Sequence, residues 1–573
     1  MGVRRAMDIA LGAILRKEGP IRTYGPLIHN PQILQILEEK GLRSIPEQNW
    51  TQDSSLWGKE NCQTLIIRAH GISPAEREEI QAAGIRILDA TCPHVGKVQG
   101  ILRRFAKEGY SAIIIGDPDH AEVMGLLGYT EGRGFVVRTE KDVANLPALE
   151  KVCVVAQTTQ DEARFQDLVK TILQRFPQAQ IFNTICSSTR RRQEEVLALA
   201  RTVDAMVVVG GKQSGNTRRL AEISEAQGVP TFHVETEKDL DASKLERFST
   251  IGITAGASTP HWLILKVVEK LRDLAPHKGL LARLAALGRF LVIGYVFLAL
   301  GAASLTLAGT ILQGLPIHTP SPWMAALYVF SMHVLNRYAD REAEKYKQPW
   351  RTGFYERQGR AMILAGILSA FFALLLGWLH GPIPFLVLVA ISALGMIYNL
   401  RVFPHRIVKH LGYAKLREIP GSKSLFVAMA WGVVTALLPA LAAGNGLSSG
   451  AGVAFLYSSI LVFVRCTFYD FNDIQGDLMV GQETIPSILG RRRTEILVVA
   501  LLIFLAGLLG AAGPWGWASF QSPRFLPSLG YVVIYYWLYR TRVLRGGVLF
   551  EGVVDGSFIF AGLWALALQM IES

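Results

Sequence analysis

Along the first half of the chain, short β-branched runs alternate with stretches of helical periodicity. QTLIIRAHG, IRILDATC, YSAIIIGD, KVCVVAQT, DAMVVVGG, TFHVETE and FSTIGITAG each end in small or polar residues and pass into a helix-like segment. This alternation predicts βα units with parallel strands, and functional groups just past the strand carboxyl ends. From about residue 287 the pattern changes to long apolar runs, the first reading FLVIGYVFLALGAASLTLAG. About nine such runs lie roughly at 289–313, 317–336, 359–380, 382–399, 423–443, 449–468, 494–513, 526–540 and 553–571. They predict an all-α polytopic membrane bundle.

Length agrees with two parts: 573 residues exceed what one domain normally holds. The boundaries expected are a soluble domain at 1–275, a linker at 276–288 and a membrane domain at 289–573. No short cleavable signal precedes the soluble half, which is therefore expected in the cytoplasm. The formal charge of +12 is read as juxtamembrane Lys and Arg rather than a nucleic-acid footprint. The loops after the second, fourth, sixth and eighth apolar runs carry the basic residues, as in NRYADREAEKYKQPWRTGFYERQGR and LGRRRTE. With those loops inside, the topology is a multi-pass protein of the cytoplasmic membrane with its N-terminal domain in the cytoplasm. LRDLAPHKGLLARLAALGR, between the halves, reads as a basic amphipathic linker at the lipid surface.

Five scattered cysteines do not make a disulfide framework. In a reducing compartment, Cys92 in DATCPHVGKV and Cys186 in NTICSSTRRRQ read better as metal or redox ligands. Cys62 and Cys153 lie before and inside strand runs and read as structural. Past the predicted strand ends also fall His70, His120, Glu122, Thr158, Thr159, Ser214, Asn216 and Ser258. Taken singly, these are ordinary caps and core groups. A succession of strand ends that all carry such groups points to one convergent polar site.

The order and spacing of GVRRAMDIAL, GPLIHNPQ, RAHGISP, DATCPHVGKV, HAEVMG, QTT, NTICSSTRRRQ, SGNTRRL and GITAGASTP resemble the 4-hydroxy-3-methylbut-2-enyl diphosphate reductases of the LytB type, over nearly all of residues 1–275. The resemblance implies three α/β lobes around a central 4Fe–4S cluster, and reduction of the substrate to isopentenyl and dimethylallyl diphosphate. It assigns Cys92 and Cys186 to the cluster. His29, His70, His120, Ser214, Asn216 and Ser258 go to the diphosphate, Thr158 to the substrate hydroxyl and Glu122 to proton supply. A ferredoxin or flavodoxin is the implied electron donor. Gly215 stands where the family usually has a second Ser or Thr. The family's first cysteine would fall immediately before Met1, so a longer native start is expected; a degenerate reductase domain is the alternative.

In the membrane half, Asn336, Asp340 and Glu344 share one helix face, as do Asp470, Asp473 and Asp477. Clustered carboxylates suit Mg²⁺ bridging to a diphosphate. DFNDIQGDLMVGQETIPSILG resembles the second acidic motif of the UbiA superfamily of membrane prenyltransferases. The first motif departs from that family's pattern at Arg337 and Glu344. The expectation is a Mg²⁺-dependent prenyl transferase fused to the reductase; the alternative is a catalytically weakened anchor.

Overall fold

The computed structural model describes residues 2–16, 18–28, 30–45, 62–274, 279–317, 320–339, 348–398, 416, 419, 421–444, 446–480, 482–541, 543–544 and 546–572. The chain divides into two compact units, Met1–Pro276 and His277–Ser573.

The first unit holds three parallel sheets. In the first, Ile21–Tyr24 lies between Arg43–Ile45 and Thr64–Ile67, and Arg86–Asp89 forms the far edge. The second repeats this order: Gly134–Val137, Ser111–Ile115, Val152–Ala156, Gln180–Phe182. The third has Thr231–Val234, Ala205–Val209 and Ile251–Ala255. Each sheet thus reverses strand order beside the first strand of its lobe, which opens a crevice at the carboxyl ends. Seven strands coincide with the β-branched runs of the sequence. The remaining four, Ile21–Tyr24, Arg43–Ile45, Gly134–Val137 and Gln180–Phe182, are only three or four residues long, too short to stand out. Central strands are buried on both faces, as the all-buried runs Thr64–Ile67, Val152–Ala156 and Ala205–Val209 show.

The second unit is helical. Each of the nine apolar runs falls on a helix, but five helices among the described residues are both long and apolar enough to cross a membrane, or six if Leu280–Ile293 and Val296–Leu312, bent by 69°, make one span. Leu526–Arg540 has 15 residues and Pro382–Ile397 has 16, short of the about 20 that a bilayer core requires. Ser449–Val480, with 32 residues, is about 48 Å long and outreaches that core. Small residues let helices approach: a Cβ added at Gly562 would lie 2.4 Å from the Ser304 carbonyl oxygen.

Candidate functional site

In the first unit, one series of contacts joins the residues that follow the strand ends. Cys92 is the N-cap of Pro93–Lys107, and its N–H donates to the carbonyl of Ala69 (2.9 Å), the residue before His70. Asp89 holds this turn by accepting from the Thr91 N–H (2.9 Å) while pairing with Arg77. A Cβ added to Gly2 would lie 2.6 Å from the Cys92 Sγ, so the helix Gly2–Leu15 starts directly against the thiol. The His70 and His120 rings meet edge to face at 5.2 Å. His120 caps Ala121–Leu127 by accepting the Glu122 N–H on Nδ1 (3.1 Å). The neutral ring therefore carries its proton on Nε2, the atom a Cβ at Gly215 would approach to 3.8 Å.

Ser214 caps Gly215–Glu225, and the Ser258 hydroxyl donates to its Oγ (3.4 Å). Both serines and Asn216 are buried, and the Asn216 Nδ2 has no hydrogen-bond partner among the described residues. A buried donor without a partner is costly, so the site is shaped to receive an acceptor. Glu122 is 1 % exposed. It accepts from the Thr158 N–H (2.6 Å) and the Thr158 hydroxyl (2.9 Å). Burial lifts its carboxyl to about 7, against the lowering effect of these two hydrogen bonds. The Thr158 carbonyl in turn accepts from the Cys186 N–H (2.9 Å), and Cys186 caps Ser187–Ala200. Thr158 therefore stands between the buried acid and a thiol. Thr159 accepts from Gln157 Nε2 at 3.0 Å, part of the turn that holds Thr158. His29 lies outside the described residues.

Cys92 and Cys186 are partly exposed and stand as the N-caps of their helices. Cys62 and Cys153 are buried, and burial pushes both thiols up to about 11. A group that resists ionisation this strongly is a poor ligand. No cluster of three metal-binding side chains occurs among the described residues.

The second unit contains a polar cavity of about 140 Å³. Asp470, Asp473 and Asp477 line it from one face of Ser449–Val480, together with Arg465 of the same helix and with Arg351 and Lys423 from other helices. Ser424 donates to Asp470 (2.9 Å). Behind the arginines stand two carboxylates one turn apart on Val548–Glu572: Glu551 pairs with Arg351, and Asp555 with Arg465 (2.7 Å), all four buried. The Tyr469 hydroxyl also donates to Asp555 (3.1 Å). Asn336 is exposed and outside the lining. Its neighbour Arg337, rotated about 100° around the helix, turns inward, is buried and donates to Gln348 (3.4 Å). Asp340 and Glu344 lie outside the described residues. A larger hollow of about 830 Å³ shares no lining residue with the polar cavity.

Residues 1–272 match the LytB protein family, and residues 291–547 match the UbiA prenyltransferase family. The first half is 42 % identical over 278 residues to the 4-hydroxy-3-methylbut-2-enyl diphosphate reductase of Opitutus terrae, covering 48 % of this chain and 96 % of that one. The chain belongs to the LytB family. The Geobacter sulfurreducens reductase is 43 % identical over 272 residues, covering 48 % and 93 %. Of solved structures, the Plasmodium falciparum reductase covers 47 % of this chain and 83 % of its own at 31 % identity and a TM-score of 0.44. A UbiA homolog from Archaeoglobus fulgidus covers 49 % and 99 % at 15 % identity and a TM-score of 0.34. The protein is thus a fusion of a LytB-type oxidoreductase half with a UbiA-family half.

The motifs of the LytB half pointed to its polar groups, and those of the UbiA half to two acidic faces with Asn336 and Arg337. Arg351, Lys423, Arg465, Glu551 and Asp555 went unmarked. The available signal was a charge inside an apolar run, as in LVFVRCTFYD and FEGVVDGSF, which is rare in a membrane segment and faces a partner or a cavity.

Proposed function

We propose that the LytB half removes the hydroxyl group of 4-hydroxy-3-methylbut-2-enyl diphosphate. Two electrons and two protons enter; the carbon–oxygen bond breaks, oxygen leaves as water and a carbon–hydrogen bond forms, giving isopentenyl or dimethylallyl diphosphate. The observation that carries this reading is the Glu122–Thr158–Cys186 series beside half-buried His120 and the buried Asn216, Ser214 and Ser258. Cys92 and Cys186 fit a 4Fe–4S cluster as two soft ligands on separate helices, and such a cluster supplies electrons and a Lewis acid when bound. His70, the Nε2–H of His120, Asn216 and the two serines bind the diphosphate. Glu122, protonated near neutrality, donates to the Thr158 hydroxyl, which presents its own hydrogen to the substrate oxygen. The electron source is a one-electron protein carrier, a ferredoxin or a flavodoxin.

The UbiA half, on this reading, would hold Mg²⁺ with one or two of Asp470, Asp473 and Asp477 together with the donor's diphosphate, and release diphosphate from a prenyl donor. Three carboxylates and three cations line the cavity in its described part, and Glu551 and Asp555 pair two of those cations from outside the lining, an arrangement that suits divalent metal together with an anion. Both sites face the cytoplasm. Anaerobic purification of the protein from its native gene tests the first half. Cluster-bound iron and dithionite-dependent substrate reduction support it, and their loss in Cys92→Ser and Cys186→Ser completes the case. Iron unchanged in both variants would overturn the ligand assignment. Mg²⁺-dependent diphosphate release, abolished in Asp473→Asn, tests the second half.

A further inference from the structure

We infer that the polar cavity of the UbiA half is sized for a five-carbon prenyl donor; this rests on the donor-binding reading above. Ser422–Gly432 runs along the cavity. Lys423 and Ser424 stand at its acidic end, where Ser424 bonds Asp470. Val427, one turn on, is the one aliphatic side chain in the described lining. Trp431, a further turn on, is buried. It belongs to a file of rings, Tyr295 to His333 at 5.2 Å, His333 to Trp431 at 6.2 Å and Trp431 to Phe558 at 5.2 Å. Tyr295 and His333 line the cavity, and Phe558 is buried in the helical core.

From Ser424 to Trp431 is seven residues, about 10 Å along the helix. A diphosphate and a single isoprene unit fill that length, and a second unit meets the ring file. The volume of about 140 Å³ is also well below the ~300–1,000 Å³ of pockets that enclose larger ligands. A long polyprenyl tail needs a continuous apolar groove, and one valine does not make one. A five-carbon donor is of the same chemical class as the product of the LytB half, so one half supplies what the other consumes.

The test uses the full chain in lipid nanodiscs and the thiolodiphosphate analogues of dimethylallyl, geranyl, farnesyl and geranylgeranyl diphosphate. Binding is measured with Mg²⁺ and with EDTA, and the Mg²⁺-dependent part is attributed to this cavity. The expected result is at least tenfold tighter Mg²⁺-dependent binding of the five-carbon analogue than of the twenty-carbon one, against the ordinary hydrophobic trend. Trp431→Ala should erase at least tenfold of that preference, and Phe558→Leu should shift it in the same direction without removing the Trp431 ring. Equal or tighter binding of the twenty-carbon analogue to the unmodified chain overturns the size inference alone. No Mg²⁺-dependent binding of any analogue overturns the donor-binding reading and this inference with it.

Discussion

Both halves bury carboxyl groups, and they stabilise them in opposite ways. Glu122 is enclosed with two neutral hydrogen-bond donors from Thr158. With no cation among the causes acting on its carboxyl, desolvation keeps the proton on to about pH 7. Glu551 and Asp555 are as deeply buried, but each meets a guanidinium, and each guanidinium lies over a tyrosine ring: Arg351 over Tyr295 at 4.1 Å and Arg465 over Tyr469 at 4.4 Å. The first arrangement makes an acid that can give up a proton near neutrality. The second makes a fixed frame that holds two cations against the polar cavity. Burial alone therefore does not tell a carboxyl that keeps its proton to neutrality from a scaffolding one; the partner does.

The comparison breaks most sharply at Glu122. Glu122→Gln keeps the shape and the hydrogen-bond acceptor but removes the proton source. Reductase turnover should fall by about 10²–10⁴-fold, with iron content unchanged. A loss below tenfold would place the proton source elsewhere. Glu551→Gln should instead cost stability, because it leaves Arg351 buried without its counter-ion, a penalty of about 3–5 kcal/mol. Thermal unfolding of the membrane unit reads this, and an unchanged transition would show the pair to be dispensable. Replacing both partners, Arg351→Met with Glu551→Leu, should recover most of the loss.

Acidity sharpens the contrast. The Glu122 proton leaves near 4.5 in an unfolded chain and near 7 in the folded one, so folding retains a proton between these values. This contribution to stability is full below about pH 4.5 and is lost as pH rises through about 7, a change of about 3 kcal/mol. The unfolding free energy of the LytB unit against pH should show this slope, and Glu122→Gln should flatten it. Turnover should fall over the same upper limb, as the acid form disappears.

The smallest expected effect is at Gly215. The 3.8 Å between a Cβ there and the His120 ring is ordinary contact distance. Gly215→Ser should therefore be accommodated, add one donor beside His120 and lower the substrate KM by up to about tenfold, with kcat nearly unchanged. A raised KM would show that the open space at Gly215 is itself required.

Much of the LytB half is legible in the chain. The buried central strands are rich in Ile and Val, and the residues just past strand ends are the ones the folded unit gathers: His70, His120, Thr158 and Ser214 follow four such strands, and Ser258 follows the edge strand Ile251–Ala255. The short strand Arg43–Ile45 was not legible, because its pairing with Ile21–Tyr24 stabilises a segment with little strand signal of its own. In the UbiA half the apolar runs announced helices, and the Asp470–Asp473–Asp477 spacing announced a common face. The inward turn of Arg337 and outward turn of Asn336 did not show, because helical phase relative to neighbours is set by packing.

The sequence by itself determined the two-part organisation, the parallel βα pattern, the apolar helices and the residue types at each strand end. These depend on periodicity and local chemistry, which a chain carries within a few residues. Only the folded chain shows which buried carboxyls keep a proton and which are counter-ions, which cysteines stand at helix heads and which are sealed away, and which rings line the polar cavity. Those properties depend on desolvation and on partners distant in sequence, 36 residues away for Glu122 and Thr158 and 200 for Arg351 and Glu551, and only the folded chain brings such groups together.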